Sequence, residues 1–213
     1  MNWKGVMMPY SSCLDHEEGR IVLDTSVVIN LLATNIAGDI LQALPHAPLV
    51  TQTAHDELLR GTQLRGYDTS QNLQRLVGDG VVELVDLGPE AKTTFFDLVS
   101  GPTVDSLDDG EAATIAYADD TASWAIIDER KARRICEDAF PGLRVASTID
   151  VFANAAITST LPKTALANAV HRALIHARMR VRNIELDWVV SLIGVERARQ
   201  CHSLPRRLRK GVA

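Results

Sequence analysis

The sequence predicts an α/β fold: a central parallel sheet with helices on both faces, followed by a basic helical extension. Three observations predict it. Short apolar runs rich in β-branched residues alternate with helical patterns from Arg20 to Leu161. The first run, Ile21-Val22-Leu23, leads straight into Asp24, Thr25 and Ser26, after which Val27, Ile29, Leu31 and Leu32 continue as a helix. Hydrophobic content of 46% with only 5% aromatic residues suits a core of Leu, Val, Ile and Ala.

The elements follow in order. Residues 1–19 read as a flexible leader, polar and mixed in charge (Asp15, Glu17, Glu18) without an apolar signal core, which argues against export. Ile21 to Leu23 form the first strand, and Thr25 or Ser26 caps the helix after it. Gly38 to Leu44 continue as helix until Pro45 and Pro48 stop it. Leu49 to Thr51 make a second strand, and Thr53 to Leu59 a helix capped by Thr53 and closed by Gly61. Gly61 to Ser70 read as a glycine-rich loop, Gln71 to Val77 as a short helix, Val81 to Val85 as a strand and Glu90 to Val99 as a helix. Gly101-Pro102 breaks the chain before a helix from Asp108 to Tyr117. Ala125 to Ile127 form a buried strand ending at Asp128, Lys131 to Asp138 a helix and Leu143 to Ala146 a last strand. Ser147 or Thr148 then caps a helix from Ile149 to Ile157. No internal repeat is visible.

Residues 162–213 form the basic extension. From Lys163 onward there are 11 basic residues and 3 acids, a net of +8, whereas the rest of the chain carries −13. Two amphipathic helices are predicted, Thr164 to Arg180 and Ile184 to Cys201, which pack back on the body (the commonest outcome), dimerise or accept a partner protein. Basic residues on the outer face then extend a path for an RNA or DNA backbone. The rival reading is a solvated basic face. Cys13, Cys136 and Cys201 are odd in number and scattered, which suits reduced thiols in a cytoplasm. No segment approaches the apolar length of a membrane span.

The acids collect at equivalent places in the alternation. Asp24 and Asp128 end strands, Glu57 follows the second strand, and Glu111 opens a helix behind Asp108, Asp109 and a glycine. In a parallel sheet all four reach one rim, where open α/β sheets bind ligands. Clustered carboxylates repel one another unless a hard cation holds them, and oxygen ligands suit Mg²⁺ or Mn²⁺. Such a centre suits phosphodiester hydrolysis, with the cation activating water and neutralising charge on phosphorus. No phosphate-binding glycine loop or dinucleotide fingerprint competes.

These residues also carry a family resemblance. Leu23-Asp24-Thr25-Ser26-Val27-Val28-Ile29-Asn30 resembles the opening of PIN domains, metal-dependent ribonucleases common as toxins in prokaryotic toxin–antitoxin pairs. Thr53-Ala54-His55-Asp56-Glu57-Leu58-Leu59-Arg60-Gly61 resembles the second PIN motif, with Glu57 in the acidic position. Asp109-Gly110-Glu111-Ala112-Ala113 and Ile127-Asp128-Glu129-Arg130-Lys131-Ala132-Arg133 resemble the third and fourth in one subgroup's form. Many PIN domains carry Asp where this chain has Glu111, and Thr-x-Asp where it has Asp128-Glu129. The resemblance covers residues 20–161. It implies a three-layer α/β/α nuclease domain, Asp24, Glu57, Glu111 and Asp128 as catalytic metal ligands, an RNA substrate and an antitoxin partner.

Each residue has a plainer rival. Asp24 would only cap its helix, Glu57 would pair with Arg60, Glu111 would complement a helix dipole, and Asp128 would cap the helix beginning at Lys131. Ser26 and Asn30 are supporting residues, and Asp109 and Glu129 stand as substitutes for Glu111 and Asp128. Arg130, Arg133 and Arg134 flank the fourth motif as candidate phosphate contacts or as a solvated helix face. Two other functions compete with the nuclease. One is an inactive PIN-like binding module. The other is a phosphatase with Asp24 as nucleophile, which lacks the second Asp because Ser26 stands there.

Overall fold

A computed structural model describes residues 10–16, 19–62, 69–100 and 106–209. After a 3₁₀ turn at Cys13–Asp15, the elements are β1 (Gly19–Leu23), α1 (Thr25–Leu32), α2 (Ala37–Ala43), β2 (His46–Thr51), α3 (Gln52–Thr62), α4 (Thr69–Gly78) and β3 (Glu83–Val85). Then come α5 (Pro89–Val99), α6 (Asp109–Asp120), β4 (Trp124–Ile126), α7 (Arg130–Ala139), β5 (Arg144–Ala146), α8 (Thr148–Ala153) and α9 (Ala155–Thr160). The chain closes with α10 (Lys163–Arg172), α11 (Leu186–Ile193), α12 (Val195–Gln200) and α13 (Arg206–Arg209).

The five strands form one parallel sheet in the order β3-β2-β1-β4-β5. The order in which successive strands are added reverses at β1, which lies between β2 and β4. The crevice at the carboxyl ends of β1 and β4 is therefore the topological switch point. Alternation along the strands divides the core. Ile21, Leu23, Trp124 and Ile126 face one side with α1, α2 and α8, while Val22, Leu49, Ala125 and Ile127 face the other with α5, α6 and α7. This is the three-layer α/β/α arrangement.

The C-terminal segment belongs to the first of these cores. Leu166, Val170, Val189 and Ile193 are buried in the same cluster as Ile21, Leu31, Ile149 and Phe152. No single helix among the described residues is long and apolar enough to cross a membrane, and the apolar pair α1 and α2 is bent by 113°.

Several boundaries differ from the sequence expectation. Asp24, not Thr25 or Ser26, caps α1. Thr51 rather than Thr53 caps the start of α3, its hydroxyl accepting from the Ala54 amide at 3.2 Å, and α3 runs past Gly61 to Thr62. Pro48 lies inside β2, opposite Ile21. The ladder to β3 begins only at Leu49, so the missing amide is tolerated. Asn154 splits the expected helix into α8 and α9, ending one and capping the next through the Ala156 amide at 3.0 Å. The helix expected to reach Arg180 stops at Ala177, after a π turn from Ala173, because Arg178 turns left-handed. Gly194 at φ 85° likewise separates α11 from α12. Most of the glycine-rich loop, the Gly101-Pro102 break, residues 1–9 of the leader and Lys210 lie outside the described residues.

Candidate functional site

The four acids read from the sequence line one cleft of about 720 Å³ at the switch point, together with Asp108, Thr25, Ser26 and Asn30. Asp24 follows β1 directly, and its amide bonds the Ile126 carbonyl of β4 at 3.2 Å. Its two oxygens have different fates. Oδ2 accepts from the Ser26 amide at 3.1 Å and hydroxyl at 2.6 Å, which caps α1. Oδ1 is buried and has no hydrogen-bond partner among the described residues. Capping occupies only one oxygen and so does not exclude a ligand on the other. At 2% exposure, burial pushes the Asp24 carboxyl up to about 7, and the charges of Asp108 and Glu57 add to this against the Ser26 hydrogen bonds.

Glu57 projects from α3 and accepts from the Thr25 hydroxyl at 2.8 Å. Burial raises its pKa, as do the charges of Asp108 and Asp109. Gly110 of α6 passes against this pair: a Cβ there would collide with Glu57 Oε2 and Thr25 Oγ1. The close approach of α6 to α3 therefore requires glycine. The next residue, Glu111, is 8% exposed, and its carboxyl rises to about 8 through burial and then the charges of Asp108, Asp24 and Glu129.

Asp108 is the acid that the sequence reading passed over for its neighbour. It caps α6, accepting from the Glu111 amide at 2.9 Å, and lines the cleft. Asp109 is exposed and outside the cleft lining, although its charge reaches Glu57. A one-residue difference in helical phase separates the two.

Asp128 lines the cleft as a braced residue. Oδ1 accepts from the Thr148 amide at 2.8 Å, and Oδ2 from the Thr148 hydroxyl at 2.5 Å and Asn30 Nδ2 at 2.8 Å. Burial lifts its carboxyl to about 6 while the Thr148 bonds oppose the rise. It does not cap α7, whose N-cap is Glu129 without a side-chain hydrogen bond. Glu129 instead meets Arg180 at 2.7 Å across the cleft.

The three arginines of the fourth motif lie outside the cleft lining. Arg133 is committed to the carbonyls of Ile127 and Ala146, at 3.0 Å each, and Arg130 is exposed. The basic residues that line the cleft, among the described residues, are Arg178 and Arg180, with His176 beside them in the turn after α10. Their place was hidden in the sequence because the amphipathic pattern continues through Arg180.

A divalent cation fits this donor set in kind. The groups are hard oxygens that repel one another, and Asp24 Oδ1 is a buried acceptor lacking a donor. Among the described residues no three His, Cys, Asp or Glu side chains form a ready cage. Mg²⁺ characteristically uses one or two carboxylates and retains water, so the requirement on the protein is small.

A family model described as DUF3368, a PIN domain, matches residues 20–195. Among solved structures, VapBC2 from Rickettsia felis, bound to a DNA fragment from its promoter, aligns at 13% identity and TM-score 0.44. That alignment covers 60% of this chain and 98% of the other. No curated protein matches the sequence.

Proposed function

Because the chain belongs to the PIN-domain family, a family of nucleases, we propose that it is a divalent-metal-dependent ribonuclease of the toxin type that hydrolyses RNA phosphodiester bonds in the cytoplasm. The observation that carries this reading is the buried, partnerless Asp24 Oδ1 in a cleft shared with Glu57, Asp108 and Glu111. These four carboxylates would hold Mg²⁺ or Mn²⁺, with Asp128 as a brace or further ligand. When bound, the cation supplies Lewis acidity toward water and toward the phosphorus-bound oxygens.

The chain's own residues do the orienting. Ser26 fixes the Asp24 carboxylate, leaving Oδ1 directed away from the cap. Thr25 fixes Glu57. Asn30 and Thr148 fix Asp128, and so hold the start of α8 to the end of β4. With their carboxyls raised to about 7 and about 8 by burial, Asp24 and Glu111 hold part of their protons near neutral pH, and a bound cation would displace them. The toxin reading brings an antitoxin as protein partner and a homodimer as a further assembly.

The second reading is a PIN domain that binds without cutting, which the lack of a ready three-ligand cage among the described residues favours. Purified protein incubated with mixed RNA in Mn²⁺, in Mg²⁺ and in EDTA, beside Asp24→Asn, separates the two. We expect cation-dependent cleavage that falls at least about a hundredfold in the mutant. A folded, cation-binding protein that cuts no RNA, or a mutant that cuts as well as the parent, contradicts the nuclease assignment.

A further inference from the structure

The cleft wall opposite the acids contains one guanidinium that the fold does not need. The helix formed by α10 and its π turn ends in a left-handed residue, with the Arg178 and Met179 amides both reaching the Ala173 carbonyl. Glycine or asparagine normally fills that position, because a Cβ is disfavoured there. This chain places Arg178 at φ 56°, ψ 37°, with Met179 beside it anchored at 1% exposure. Arg180, two residues on, is tied to Glu129. Arg178 is exposed, lines the cleft, and has no hydrogen-bond or ion-pair partner among the described residues.

We propose that Arg178 is a substrate-binding residue that takes a backbone phosphate of RNA at the entrance to the acid cleft. The inference rests on the nuclease reading and adds the contact that admits a polyanion to a negatively charged site. A planar guanidinium fork matches a phosphate in bidentate geometry. Left-handed backbone at a non-glycine residue, beside a functional cleft, is characteristic of a side chain held in place for use. Arg178 belongs to the basic extension and lines the same cleft as the acids, so the +8 segment meets the −13 body there.

The test compares wild type, Arg178→Gly and Arg178→Lys by thermal melting, by anisotropy of a short fluorescent single-stranded RNA of mixed sequence in EDTA, and by cleavage kinetics in Mn²⁺. Glycine relaxes the backbone, so the melting temperature stays level or rises. RNA affinity falls about tenfold, the effect of one charge-assisted contact. The slope of log affinity against log salt drops by about 0.7, one phosphate's share on a single strand. In cleavage the loss appears in KM with kcat nearly kept, and lysine recovers part of the affinity. Unchanged affinity and slope in Arg178→Gly, with wild type still cutting RNA, overturn the role of Arg178 and leave the nuclease intact. A wild type that neither binds nor cuts RNA overturns both.

Discussion

Two groups of buried acids lie at the ends of these strands, and they behave in opposite ways. In the cleft, Asp24 keeps an oxygen with no donor, and Asp24, Glu57 and Glu111 all bind protons more tightly than free carboxyls do. In the second group, at the start of α8, every charge is answered. Asp150 accepts from Tyr10 at 2.6 Å, from the Ser147 amide at 2.8 Å and from Arg182 at 3.0 Å. Glu185 accepts from Arg182 Nε and from the Ser147 hydroxyl, each at 2.6 Å. Burial pushes the Asp150 carboxyl up, but the bonds from Tyr10 and Ser147 and the Arg182 charge outweigh it and hold it below the ordinary range. Asp24 and Glu111 are as buried as Asp150 and Glu185, and Glu57 is half-buried beside them. What differs is the supply of donors, which is complete in one group and incomplete in the other, the pattern expected of a scaffold and of the proposed site respectively.

The scaffold group also supports the site. It ties residues 10–16 and the C-terminal segment to the first turn of α8, whose Thr148 holds Asp128. Removing its cation should therefore have the largest structural effect. Arg182→Ala leaves Asp150 and Glu185 buried without their counter-charge and is expected to cost about 3–5 kcal/mol in denaturant unfolding. Loss of less than about 1 kcal/mol would show that the network is incidental. A smaller effect is expected at the edge of the cleft. Gly110→Ala forces Glu57 away from Thr25 and should cost about 1–2 kcal/mol, while reducing Mn²⁺ affinity in titration calorimetry. Unaltered cation binding in a folded Gly110→Ala protein would remove Glu57 from the ligand set.

The sheet and its switch point were legible because both follow from local pattern. Ile21 to Leu23 and Ala125 to Ile127 are apolar runs ending in acids, and alternation alone assigns their faces. That Asp24, Glu57 and Glu111 meet at one cleft was legible from strand ends and motif spacing. The bracing of Asp128 was not, because its partners Thr148 and Asn30 are 20 and 98 residues away. Asp108 was hidden by helical phase, since a cap and a first helical residue cannot be separated by composition when both are Asp. Arg178 was hidden for a related reason. A helix that stops without glycine or proline gives no local signal, so its cations were assigned to an outer face.

The central claim is that Asp24, Glu57 and Glu111, which have no ion-pair partner among the described residues, take the missing charge from a cation. It is tested most directly by melting wild type and Asp24→Asn across pH, in EDTA and in Mn²⁺. Asp24 and Glu111 have folded pKa values above their unfolded values of 3.8 and 4.5. Their contribution is thus full below about pH 4 and lost as pH rises through about 7 and 8. Chelated wild type should melt progressively lower over that window, and Mn²⁺ should restore it most at the alkaline end. Asp24→Asn, which keeps an oxygen for the Ser26 cap, should begin higher in EDTA and gain little from Mn²⁺. Equal Mn²⁺ stabilisation of both proteins, or none of either, would contradict the account.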